Sequence, residues 1–184
     1  ASDNLKFRFR GRTAHAAGNP ETGRSALDAV ELMNIGVNFL REHTIDAARI
    51  HYVITNGGGA PNVVPDDCEV WYYVRSPERH QVNELTDRVR KIAEGAALMT
   101  ETTVSEEYIS GIYNLLPNTT LVSHMTEILR HIGPITFTDE ENAFAREIAS
   151  AYPESQRLNT LRKDQIPDDL VNAGMTGEIY EAFG

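Results

Sequence analysis

The stretch Ile50–Arg75, IHYVITNGGGAPNVVPDDCEVWYYVR, decides the fold. Ile50 to Thr55 is rich in β-branched and aromatic residues, and so is Asp67 to Arg75; both runs read as strands. Asn56 and the glycines Gly57, Gly58 and Gly59 break the chain between them. Two strands follow one another here with no helix interposed. Upstream, Ala26, Val30, Met33, Val37 and Leu40 recur at helical spacing, predicting an amphipathic helix from about Arg24 to about His43. Before it, Leu5, Phe7 and Phe9 alternate with Lys6, Arg8 and Arg10, the period of a half-buried strand. Downstream, Ser76-Pro77 reads as an N-cap and a first-turn proline. The stripe Val82, Leu85, Val89, Ile92, Ala96 and Met99 predicts the helix behind it, and Thr102 to Ile109 a fourth strand. The order β-α-β-β-α-β, with right-handed crossovers and short connections, predicts an α+β unit. It is a ferredoxin-like four-stranded antiparallel sheet with both helices on one face.

That unit is expected to occupy residues 1–112. Residues 113–184 differ in character. Leu121, Met125, Ile128 and Ile132 mark a helix ended by Gly133-Pro134. Thr138 to Glu141 is a capping box opening another helix through Phe144 and Ile148. From Pro153 the chain is polar and reads as an irregular tail.

The chain has 184 residues and a formal net charge of −10, which removes the overall basic footprint of a nucleic-acid binder. No apolar run has membrane-spanning length, and no leader is expected before the first strand. Cys68 is the single cysteine, so no internal disulfide forms and a cytoplasmic setting is expected. The run around it predicts a small buried residue rather than a reactive thiol.

Three polar side chains at strand ends stand out: His15 among small residues, Asn62 between prolines, and Arg75. An imidazole, an amide and a guanidinium together suit an anionic substrate and a developing oxyanion. Each also has an ordinary reading, as a surface-loop histidine, a turn asparagine and a rim arginine. No His-x-Asp, no histidine pair four residues apart and no cysteine cluster supplies metal ligands. The triple glycine lacks the Lys-Ser/Thr of a phosphate loop. Glu106-Glu107 points to opposite faces of a strand, and Glu140-Glu141 lies in a helix first turn, so both pairs read as structural.

Gly11-Arg12-Thr13-Ala14-His15-Ala16, Pro61-Asn62-Val63-Val64-Pro65 and the strand-ending Arg75, in this order, resemble the lid or dimerisation domain of the dinuclear zinc amidohydrolase and peptidase family. The resemblance runs from about Leu5 to Gly111. It implies that His15 reaches into the active site of a partner chain and stabilises the tetrahedral oxyanion, while Asn62 and Arg75 hold the substrate's carboxylate end. It implies a homodimer through the lid, a separate catalytic domain carrying two divalent metal ions (zinc or manganese), and a small amide substrate of the N-acyl amino acid class. A second type of subunit is a further implied partner. No residue of this chain is assigned to a metal, and the chain alone is expected to be inactive. The competing expectations are a stand-alone ferredoxin-like small-molecule sensor and an RNA-binding module. The module lacks an RNP1-like aromatic string, and neither nucleic acid nor membrane is expected as a partner.

Overall fold

The computed structural model describes residues 1–153, 155 and 156. The chain forms two compact units, the first spanning Ala1–Leu115 and the second beginning at Leu116.

In the first unit, β1 (Ser2–Arg10), β2 (Arg49–Asn56), β3 (Asp67–Arg75) and β4 (Thr103–Ile112) form one antiparallel sheet in the order β2-β3-β1-β4. This is the ferredoxin-like arrangement, with β2 and β4 as the edges. Helices α1 (Ala26–Leu40) and α2 (Arg79–Thr100) pack on one face. Alternation along the strands places Leu5, Phe7, Phe9, Cys68, Val70, Tyr72 and Val74 under them, fully or almost fully buried. Tyr72 donates a hydrogen bond to Asn34 Oδ1 on α1 (2.5 Å), satisfying two buried polar groups at once. Burial, and then the nearby Asp67, Asp66 and Asp28, push the Cys68 thiol up to about 11. It stays protonated and inert.

The helix boundaries depart from the sequence expectation. Ser25 caps α1 by accepting from Asp28 N (3.1 Å), so the helix proper begins at Ala26 and passes into a 3-10 turn at Arg41–His43. Ser76 is not the cap of α2. Pro77 and an extended Glu78 carry the chain two residues further, and Glu78 forms a capping box with Gln81. Ser76 Oγ instead donates to Gln81 Oε1 (2.9 Å). The buried stripe of α2 runs through Val82, Leu85, Thr86, Val89, Ala93, Ala96 and Ala97. Met99 falls off it, 66% exposed, because the 3.6-residue period carries the stripe past that position. β4 extends to Ile112, beyond the expected end at Ile109. Ile109 bulges between the pairs Leu5↔Tyr108 and Asn4↔Ser110, and the ladder resumes after it.

In the second unit, α3 (Thr119–Ile132) is capped by Asn118, and α4 (Asp139–Ser150) by the Thr138–Glu141 capping box. The expected irregular tail falls, beyond its first residues, outside the described part of the chain. No described helix is long and apolar enough to cross a membrane.

Candidate functional site

Two loops at one end of the sheet are zipped together. Gly11 N donates to Asp66 O (2.8 Å), and Arg12 and Arg24 exchange main-chain hydrogen bonds (2.9 and 2.8 Å). A Cβ at Gly11 would overlap the Arg24 carbonyl oxygen, so this crossing admits only glycine. Further out, Ala16 N donates to Asn62 O (3.0 Å) and Val64 N to Ala14 O (2.9 Å), making an isolated bridge between His15 and Val63. On the other loop, Gly58 takes a positive φ of 96°, and Val63 N donates to Ala60 O (3.1 Å), closing a turn with Pro61 and Asn62 at its centre. His15 and Asn62 are thereby neighbours, on a backbone that two loops hold jointly.

The imidazole is oriented by its own loop. Ala17 N and Gly18 N both donate to His15 Nδ1 (3.2 and 3.0 Å). A nitrogen accepting two hydrogen bonds carries no proton, so the ring proton sits on Nε2. The loop therefore presents one N–H donor outward, from a tight turn in which Gly18 N is shared with the His15 carbonyl and Asn19 N also donates to it (3.2 Å each). The Asn62 side chain is exposed and makes no hydrogen bond with the described residues.

Arg75 lies elsewhere. It ends β3 while His15 and Asn62 lie beyond its beginning at Asp67, eight residue steps away and about 26 Å along an extended strand. The structure brings together two of the three residues and sets the third at the far end of the sheet. Arg75 is exposed, has no acidic partner among the described residues, and faces Arg49 directly across the β2–β3 ladder. The sequence does not single out Arg49, since only the strand register makes the pair.

Other cations on the open face of the sheet are neutralised. Lys6 pairs with Glu69 (2.9 Å), and Arg8 grips Asp67 through Nε and Nη2 (2.6 and 2.5 Å). The Arg8 hydrogen bonds hold the Asp67 carboxyl below the usual range. Glu106 binds Arg90 on α2 by the same fork (2.7 Å for both bonds), and Glu141 caps α4, so these acids have structural tasks. A buried cluster escaped the sequence reading altogether. Asp3, 2% exposed, accepts from Arg79 Nη2 (2.7 Å), Thr86 Oγ1 (2.8 Å) and Tyr108 OH (2.7 Å). Its signal, an acid at a strand start, is too common to read. Among the described residues no three His, Cys, Asp or Glu side chains converge as a metal site.

Residues 2–101 match the model of the peptidase dimerisation domain. The chain is 50% identical over 181 residues to one of the subunits of p-aminobenzoyl-glutamate hydrolase from Escherichia coli, covering 98% of this chain and 37% of that protein. It is 35% identical over 134 residues to the mouse Xaa-Arg dipeptidase, covering 72% of this chain and 31% of that one. A solved structure, the aminobenzoyl-glutamate utilization protein from Klebsiella pneumoniae, superposes with a TM-score of 0.62 at 25% identity, over 71% of this chain and 33% of its own. The chain thus spans about a third of the length of these relatives. With the sheet order, the zipped loops and this match in agreement, the chain belongs to the peptidase dimerisation domain family.

Proposed function

We propose that this chain is the substrate-clamping and dimerising part of a metal-dependent amidohydrolase that cleaves the amide of an N-acyl amino acid, with p-aminobenzoyl-glutamate as the leading substrate. Family membership and the half-identical Escherichia coli relative support this reading over a stand-alone sensor. The observation that carries it is the outward Nε2–H of His15, a donor fixed by two backbone N–H groups before any substrate arrives. A donor placed in advance at the position of a developing oxyanion stabilises the transition state without reorganising. Asn62 beside it supplies a second polar contact, and Arg75 a bidentate grip for a carboxylate.

A substrate of this size cannot span about 26 Å of strand, so His15 and Arg75 of one chain do not meet on one molecule. Two copies remove the difficulty. β2 is an edge strand, and Tyr52, Val53 and Ile54 on it and Ile35 and Phe39 on α1 are substantially exposed apolar residues. Antiparallel pairing of two β2 edges about a two-fold axis near Tyr52–Val53 sets the Arg49 end of one copy beside the Asn56 end of the other. Each composite site then takes His15 and Asn62 from one copy and Arg75 from its partner.

In this reading the enzyme is a cytoplasmic homodimer. The two divalent ions, zinc or manganese, are assigned in this reading to the catalytic domain of the complete enzyme. The relatives include proteins named as two different subunits of p-aminobenzoyl-glutamate hydrolase, which supports a second type of subunit as a further partner.

The test is complementation in the complete enzyme. His15→Ala and Arg75→Ala preparations, each inactive alone, are dissociated, mixed and reassociated. A site shared between chains leaves one intact site in each heterodimer, so about a quarter of wild-type activity returns. No recovery despite heterodimer formation refutes the shared site.

A further inference from the structure

We infer that Arg49 is a specificity-determining residue that binds the second carboxylate of an acidic N-acyl amino acid, beside the one held by Arg75; the inference rests on the carboxylate reading of Arg75 given above. Arg49 and Arg75 are direct partners in the β2–β3 register and therefore share a face of the sheet. Like charges placed directly opposite each other destabilise a sheet. Acidic residues outnumber Lys and Arg by 27 to 17 in this chain, yet none of the described acids pairs with either guanidinium. Lys6, Arg8 and Arg10 on the same sheet are all paired.

The geometry of Arg49 is that of a prepared carboxylate grip. Its Nη1 donates to the main-chain carbonyls of Asp46 and of Ala48 (2.6 Å to the latter), which fixes the plane of the guanidinium. The Nε–Nη2 edge has no partner among the described residues. Arg8 and Arg90 use this very edge to hold Asp67 and Glu106 by two bonds each. Arg49 therefore offers an oriented, unfilled fork of the kind that the chain twice fills with a carboxylate. Directly opposed residues on neighbouring strands stand about 5 Å apart at their Cβ atoms. The two carboxylates of a glutamyl group, joined through four carbon–carbon bonds, are separated by about the same distance when extended. A substrate with two carboxylates relieves the charge conflict, whereas one with a neutral side chain leaves it half relieved.

The experiment uses the complete enzyme and two substrates sharing one acyl group, an N-acyl-glutamate and an N-acyl-alanine. Arg49→Gln should lower kcat/KM for the glutamyl substrate about tenfold more than for the alanyl one, chiefly through KM. Arg75→Gln should impair both. In the unmutated enzyme, glutarate should slow modification of Arg49 by phenylglyoxal, as followed by mass spectrometry, and butyrate should not. Equal effects of Arg49→Gln on the two substrates, or no protection by glutarate, would overturn the assignment of Arg49 while leaving Arg75 in place. An Arg75→Gln enzyme unimpaired on both substrates would overturn the carboxylate reading itself, and Arg49 with it.

Discussion

Asp3 and Arg79 form an ion pair at 2.7 Å that the fold almost closes off from solvent, with side chains 3% and 14% exposed. The pair joins the start of β1 to the first residue of α2, and Tyr108 brings in β4. Burial alone would raise the Asp3 carboxyl; the hydrogen bonds from Arg79, Tyr108 and Thr86 outweigh it and hold the carboxyl below its ordinary value of 3.8. A depressed carboxyl contributes stability above its unfolded value and loses it as pH falls through the folded one. Asp3→Ala should cost about 3 kcal/mol in urea unfolding at pH 7, because Arg79 is left unpaired. The difference from wild type should shrink as the pH falls below the ordinary carboxyl value. A difference constant from pH 7 to pH 2 would contradict this.

His15→Gln should lower kcat of the complete enzyme about a hundredfold or more, the scale of a lost oxyanion donor. The melting temperature should hardly move, because the ring's bonds are all local to its own loop. Activity and thermal melts on the same preparations check both statements.

Val53→Lys places a charge on an exposed position of edge strand β2, 53% accessible in the single chain. Sedimentation should show dimers for the wild type and a shift toward monomers for the variant at micromolar concentration. A variant that sediments as wild type does would move the interface elsewhere.

Gly11→Ala should destabilise the unit by about 1–3 kcal/mol, since the methyl group must displace the Arg24 carbonyl. The zipped loops should part with it, so activity should fall with stability rather than independently of it. Chemical denaturation beside a kinetic assay tests the linkage.

Glu101 ends α2 in the left-handed region, φ 53°, the one described non-glycine residue with positive φ. Its partner Arg24 lies at 2.8 Å, but Glu101 is 70% exposed, so the pair contributes little. Glu101→Gly should stabilise the unit by about 0.5–1 kcal/mol by removing the Cβ conflict. Unfolding midpoints compare the two directly.

The strand and helix order was legible because each element announces itself within a few residues. Leu5, Phe7 and Phe9 alternate, the α1 stripe repeats, and three glycines separate β2 from β3. What depends on two distant segments was not legible. Ser76-Pro77 has the composition of a helix start, yet a capping box formed with Gln81 lies two residues on and decides the matter. The bulge at Ile109 exists because of how β4 meets β1, which no local pattern records. At the candidate site, the loop motifs identify His15 and Asn62 as neighbours in chemistry, and the structure makes them neighbours in space. Arg75 belongs with them in the motif but not in the folded chain. Its companion Arg49 emerges only once the register of β2 on β3 is known.

The pairing of Ser2 with Ile112 has a mechanical consequence. β1 begins where β4 finishes, so a tension applied at these two points does not load the hydrogen bonds between the strands together. It loads them one rung at a time, peeling β1 from β4 like a zip. The first rungs to bear the load flank Asp3 and Tyr108, whose side chains are bonded to each other and, through Asp3, to Arg79 on α2. The weak direction of the sheet is thus fastened at the end where a pull from outside would start.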